Sequence, residues 1–384
     1  LPQSEYNVSE VPGLTVPVVT GAGSVQNVGV LAVQHGGHRA LVVTDAGVAK
    51  AGHADVVRDH LRAAGLEAEI YSNVHENPTT DDVHACVEPA RAMHADILVA
   101  VGGGSSLDTA KGCNFIFTNG GRMQDYRGVD KASQPMLPFI AVPTTAGTGS
   151  ECQRFALISD PDTHQKMACG DVKALARVAI LDPVLTCTQP PFVAACTGMD
   201  AVSHAVETAV TNVSTDESLA LSHEAFRLLI RNLPLVVSDP DDLAARAAVQ
   251  MGAALAGSAI ERSMLGGAHS AANPLTAHYD IPHGQAVGLM LSHVVTFNGE
   301  DGETSQRYAS LAGGSGQEDP ASTLNRCLGE LMDILGLHRP LETFGLERKN
   351  IGVLATESAD QWTARFNPRP LTAGDFERFY ESAF

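Results

Sequence analysis

Over roughly its first 185 residues the chain alternates short apolar, β-rich runs with amphipathic helical stretches, and this alternation restricts the fold more than any other feature. Strand candidates fall at Leu14–Thr20, Ala40–Thr44, Glu67–Tyr71, Ile97–Val101, Phe139–Val142 and Ala179–Leu181, with helical patterns such as Ala51–Ala64 and Thr80–Met93 between them. Strands separated by helix-length segments predict a parallel sheet wrapped by helices, because a parallel pair needs a long crossover. After Pro190–Pro191 the texture changes to long amphipathic stretches, among them Met199–Val210, Asp216–Arg231, Asp241–Ala256 and Pro320–Leu335. The expected architecture is an α/β N-terminal domain with a parallel sheet (1–186), then an all-α C-terminal helical domain (187–384). The polar, glycine-bearing segment Asn298–Gly316 reads as a loop.

Charge narrows the range of partners. Lys and Arg number 25 against 44 Asp and Glu, a formal net charge of −19, which disfavours nucleic acid and anionic membrane surfaces. No run of 18 apolar residues is present, and the opening LPQSEYNVSE has neither the basic nor the apolar region of a signal peptide. Seven cysteines without a C-x-x-C pair argue against a disulfide framework or a thiolate zinc site, and for a reducing cytoplasmic setting.

Two glycine-bearing segments follow strand candidates. Ile97–Val101 runs into Gly102-Gly103-Gly104-Ser105-Ser106-Leu107-Asp108-Thr109-Ala110-Lys111. Glycines at a strand end let backbone amides approach a phosphate at a helix N-terminus, although they also suit a tight strand-to-helix turn. The second, Pro143-Thr144-Thr145-Ala146-Gly147-Thr148-Gly149-Ser150-Glu151, follows Phe139–Val142 and carries small hydroxyls suited to a nucleotide. Open α/β sheets bind ligands at strand carboxyl ends, where both segments lie. Asp45, after Ala40–Thr44, suits an adenosine ribose and would repel a 2′-phosphate; it suits equally a helix N-cap.

In the second half, Asp200 and His204 stand four apart, on one helix face, as an ion pair or as two ligands for one cation. His269 and His283 lie fourteen apart, with Pro274 and Pro282 expected to interrupt any helix between them. One Asp and three His match an Fe or Zn site with an open position, while each residue alone also fits a capping or core role.

These motifs, in their order, resemble the iron-containing (group III) alcohol dehydrogenases over nearly the whole chain. The ordered set comprises Gly21-Ala22-Gly23-Ser24, Asp45, Asn77-Pro78-Thr79, Gly102–Lys111, Pro143–Glu151, Leu181-Asp182-Pro183, Asp200-x3-His204 and His269-x13-His283-Gly284. Lys166–Pro183 and the metal region look most like the lactaldehyde/propanediol oxidoreductase branch. The resemblance implies a Rossmann-like N-terminal domain binding NAD(H) through Asp45, Asn77, Gly103, Gly104, Ser105, Asp108, Thr144, Thr145, Thr148 and Lys166. It implies one divalent metal, Fe2+ or Zn2+, on Asp200, His204, His269 and His283, with His269 and His283 also counted as catalytic. A homodimer or larger homo-oligomer is implied as well.

Two departures matter. Where many members carry a histidine four residues after the third ligand, this chain has Asn273, which cannot titrate near neutral pH. His278 is then the nearby candidate for a proton relay. Phe155 stands where the propanediol branch has a polar residue. The implied reaction is reversible hydride transfer between NAD(H) and a small primary alcohol or its aldehyde. The alternatives are a dehydroquinate-synthase-like NAD/Zn lyase, a metal-free maleylacetate-type reductase and a non-catalytic nucleotide sensor.

Overall fold

The apolar run at Ile97 becomes a strand, Ile97–Gly102, whose every residue is buried, as expected of a central parallel strand covered on both faces. In the computed structural model, which describes residues 8–9, 11–162, 166–313 and 319–384, the chain divides into two units, Leu1–Gln189 and Pro190–Phe384.

The strands of the first unit are β1 (Val8–Ser9), β2 (Val18–Thr20), β3 (Arg39–Asp45), β4 (Glu67–Val74), β5 (Ile97–Gly102), β6 (Gly128–Val129), β7 (Phe139–Pro143), β8 (Phe155–Ser159), β9 (Lys166–Gly170) and β10 (Val178–Leu181). Its helices are α1 (Val28–Gln34), α2 (Ala46–Lys50), α3 (His53–Ala63), α4 (Thr80–Ala92), α5 (Gly104–Asn119) and α6 (Pro183–Thr186). The main sheet has the order β1-β2-β10-β7-β5-β3-β4. It is parallel except for the antiparallel β1–β2 pair. Val42, Val99, Val101, Ile140, Val142 and Ile180 fill the core against the helices.

From β3 the chain turns outward to β4, then returns to place β5 on the other side of β3. The carboxyl ends of β3 and β5 thus flank the point where the strand order reverses, which is where doubly wound sheets bind ligands. Asp182, fully buried just after β10, accepts hydrogen bonds from the Gly23 and Val25 amides, at 3.0 and 3.1 Å. It thereby fixes the turn after β2.

The expected α/β unit followed by a helical region is present, with corrections in detail. Leu14–Thr20 is a strand only from Val18; Pro17 lacks the N–H that a ladder needs. A second sheet, β6-β9-β8, was not anticipated.

The second unit contains α7 (Pro191–Thr208), α8 (Asp216–Ser238), α9 (Leu243–Arg262), α10 (Gly267–Tyr279), α11 (His283–Asn298), α12 (Gly302–Ala312), α13 (Pro320–Ile334), α14 (Ile351–Ala359) and α15 (Ala373–Ser382). α9 is long and apolar enough to cross a membrane, but 72% of its apolar window is buried inside the protein. The loop expected over Asn298–Gly316 is mostly α12, and residues 314–316 lie outside the described residues. Asp301 caps α12 by accepting from the Thr304 amide, and Thr304, Tyr308 and Leu311 form its buried stripe. Pro274 sits inside α10 without ending it, so the break between His269 and His283 falls at Asp280, in left-handed conformation, and Pro282.

Candidate metal centre and nucleotide loops

Three helices bring the sequence-selected quartet together. Asp200 and His204 lie one turn apart on α7, His269 occupies the first turn of α10, and His283 opens α11. Asp200 Oδ1 lies 3.4 Å from His204 Nε2, 3.4 Å from His269 Nε2 and 3.9 Å from His283 Nε2. The His204 and His269 rings stack with centroids 4.8 Å apart. Asp200 and His204 are 5% and 4% exposed, which removes the surface ion pair as an explanation of their spacing. The candidate ligand atoms of Asp200, His269 and His283 fall within 4.8 Å of one another.

Among the described residues, Asp200 Oδ1 and His269 Nε2 are buried without a hydrogen-bond partner beyond their long 3.4 Å approach to each other. A buried polar atom left unpaired costs about 1–3 kcal/mol, so two of them facing each other fit a site built for a cation. One carboxylate and three imidazoles are a donor set for Fe2+ or Zn2+. Burial would raise the Asp200 carboxyl, but the imidazoles, His204 foremost, hold it well below the usual range. Burial likewise opposes protonation of His269, yet the Glu207 and Asp200 carboxylates raise its imidazole to about 9.

Two close approaches shape the centre. Gly284 lies so near α7 that a Cβ there would be 1.9 Å from the Cys196 carbonyl oxygen and 3.1 Å from Asp200 Cβ. Glu207, 4% exposed on α7, accepts from the Ala268 amide at 2.6 Å through Oε1, while its Oε2 lies 2.5 Å from His269 Nδ1. α10 has no cap of its own, so Glu207 and Asn367, which accepts from the Gly267 amide, supply one. Sequence reasoning gave Glu207 no role. Its place seven residues after Asp200, on the same helix face, was the available signal.

His278 is not gathered with the others. It pairs with Glu357 at 2.7 Å, both side chains more than 40% exposed, about two and a half helical turns beyond His269. Asn273, one turn beyond His269 and half-buried, donates to Gln361 Oε1 at 3.1 Å.

In the first unit the expected cofactor residues gather at the strand ends. Asp45 caps α2 by accepting from the Val48 amide at 3.0 Å, and its other oxygen accepts from Ser106 Oγ at 3.3 Å. α5 starts at Gly104 with no side chain capping it, leaving an amide-lined N-terminus of the kind that binds phosphate. A Cβ on Gly103 would meet Thr145 at 3.3 Å, and one on Gly104 would meet Thr148 at 2.8 Å, so the two glycine-bearing loops touch. The buried Thr144 binds the Gly102 carbonyl through its amide. Ser105 is half-buried in the first turn of α5. Asn77, at φ 51°, accepts from Lys166 Nζ at 3.4 Å.

Asp108 faces inward instead. Its carboxylate accepts from Ser150 Oγ at 2.7 Å and from the Leu157 amide at 3.2 Å. Lys111 Nζ donates to Ser150 O and Oγ and to Phe155 O, bracing the second loop. Phe155 lays its ring over Gly170, its cross-strand partner.

Comparison with known proteins covers both units. Residues 16–183 match the family model for iron-containing alcohol dehydrogenase, and 194–384 that for the C-terminal part of the Fe-containing alcohol dehydrogenase family. The NAD-dependent methanol dehydrogenase of Bacillus methanolicus is 33% identical, over 95% of this chain and 97% of its own. The 1,3-propanediol dehydrogenase of Citrobacter freundii is 32% identical, over 91% and 92%. A crystal structure of 1,3-propanediol oxidoreductase superposes with a TM-score of 0.92 at 31% identity, over 96% and 97% of the two chains. The sulfoacetaldehyde reductase of Bifidobacterium kashiwanohense, in complex with NAD+, superposes at 0.88 with 28% identity, over 96% and 97%.

Proposed function

The chain belongs to the iron-containing alcohol dehydrogenase family, and from that premise we propose that it interconverts a small primary alcohol and its aldehyde with NAD(H). The observation that carries this reading is the buried facing of Asp200 Oδ1 and His269 Nε2, with no other hydrogen-bond partner among the described residues, beside His204 and His283. Those four residues would hold one divalent ion, Fe2+ or Zn2+. When bound, the ion supplies Lewis acidity for the substrate oxygen, and the nicotinamide supplies or accepts the hydride.

The remaining work falls to the chain. Asp200 contributes the one anionic ligand, its carboxyl held below the usual range by the imidazoles around it, His204 foremost. Gly103, Gly104 and Ser105 offer backbone amides to the pyrophosphate at the start of α5. Asp45 accepts from the adenosine ribose and disfavours a 2′-phosphate. Asn77, Thr144, Thr145, Thr148 and Lys166 complete the cofactor contacts, while Asp108 acts one layer behind them by fixing Ser150. Asn273 has no proton to give or take near neutral pH, so the alcohol's proton leaves by water or another group. The working form is a homodimer or larger homo-oligomer in the cytoplasm.

Elemental analysis of anaerobically purified protein, paired with NADH oxidation against short aldehydes, tests the reading. The expected result is about one Fe or Zn per chain, with turnover lost on chelation and restored on re-addition. Metal-free protein that still turns over, or loaded protein inert towards every aldehyde, would overturn it.

A further inference from the structure

We propose that Glu207 is a positioning residue that fixes the ring orientation and tautomer of His269, leaving Nε2 as the metal-facing lone pair. The proposal rests on the metal reading above. A neutral imidazole carries one N–H, and which nitrogen holds it follows from the hydrogen bond the other face makes. At His269 the partner on Nδ1 is the Glu207 carboxylate, 2.5 Å away and 4% exposed. A carboxylate only accepts, so Nδ1 must donate. In the neutral ring that a metal requires, the lone pair then falls on Nε2, the atom 3.4 Å from Asp200 Oδ1 that has no other hydrogen-bond partner among the described residues.

Capping α10 is the plainer role for Glu207, and one oxygen suffices for it. Oε1 takes the Ala268 amide, yet Oε2 is spent separately on the imidazole. Only a side chain that accepts at both atoms meets the two demands, and among residues of this size only ionised glutamate does. Glutamine separates the roles. With its single oxygen on the Ala268 amide, its NH2 must donate to His269 Nδ1, which drives the ring proton onto Nε2 and blocks the ligand. Turned the other way, its NH2 would oppose the Ala268 N–H.

The test is Zn2+ affinity of Glu207→Gln, by competition with a chromophoric chelator, beside NADH affinity and circular dichroism of the metal-free protein. We expect the zinc dissociation constant to rise about 10–100-fold, the range for loss of an outer-shell partner, with fold and NADH affinity unchanged. Zinc affinity equal to wild type would overturn the proposal, because a capping role alone is satisfied by glutamine. Wild-type protein that takes up neither zinc nor iron would instead sink the function proposed above. Should the variant fail to fold, nitrogen-15 NMR of the zinc-loaded wild type decides. A proton on Nδ1 of His269 is expected, and its absence refutes the assignment.

Discussion

Gly284 offers the sharpest test of how the metal centre is built. A methyl group there would lie 1.9 Å from the Cys196 carbonyl oxygen and 2.7 Å from the carbonyl carbon. Real Cβ atoms essentially never approach backbone atoms within 3.0 Å, so Gly284→Ala must drive the start of α11 at least 1.1 Å away from α7. His283, the adjacent residue, travels with it. Ligand distances in metal sites tolerate only about ±0.2 Å, so the displacement removes His283 from the ligand set although the residue is untouched. Overpacking of this kind costs about 1–3 kcal/mol. For a unit of this size that lowers Tm by about 2–4 °C per kcal/mol. Zinc affinity should fall by more than ~100-fold, beyond the usual effect of losing an outer-shell partner. Calorimetry of the metal-free protein and a chelator competition measure both quantities. A variant with wild-type zinc affinity would refute the claim that backbone contact between α7 and α11 sets the site.

Three further outcomes are expected. Gly102→Ala places a Cβ 2.3 Å from Ser106 Oγ and 3.3 Å from Asp45 Oδ2. It should weaken NADH binding by about 10-fold or more per phosphate-bound amide lost, at ~1.5–3 kcal/mol each, with metal content unchanged; undiminished NADH affinity by fluorescence titration would contradict this. Burial raises the Glu151 carboxyl to about 7, against the opposing pull of its own amide and Lys111. Below the unfolded value near 4.5 both states are protonated. As pH rises to about 7 only the unfolded state ionises, and stability falls by about 3 kcal/mol. Glu151→Gln should therefore gain on wild type in urea melts between pH 4.5 and 8, and parallel pH–stability curves would count against it. His278→Ala breaks only an exposed pair with Glu357, so stability should change by less than ~1 kcal/mol and turnover should stay close to wild type. A large loss of turnover would restore His278 as the proton relay.

The parallel core was legible because strands covered on both faces must be continuously apolar, as Ile97–Val101 and Phe139–Val142 are. The Asp200/His204 pair was legible because helix geometry alone puts the two on one face. What brings His269 and His283 to that face was not, since it depends on the left-handed Asp280 and on the contact of Gly284 with Cys196. Glu207 was hidden for the same reason. Its partner, the Ala268 amide, lies 61 residues away in sequence. α12 escaped notice because threonine takes one place in its buried stripe, and the β8–β9 hairpin because its strands are only half covered.

The grip of Asp182 on the amides of Gly23 and Val25 also bears on how the chain is made. Among the described residues β2 has only β10 and the two-residue β1 as neighbours, and the Asp182–Gly23 bond spans 159 residues of sequence. At a ribosomal pace of 5–20 residues per second, β2 waits roughly 8–30 s for its parallel neighbour. Through that interval Val18 and Val19, both destined for the core, stay exposed on a nascent chain. The order of synthesis therefore places the last-made strand of the sheet in charge of completing one of the earliest.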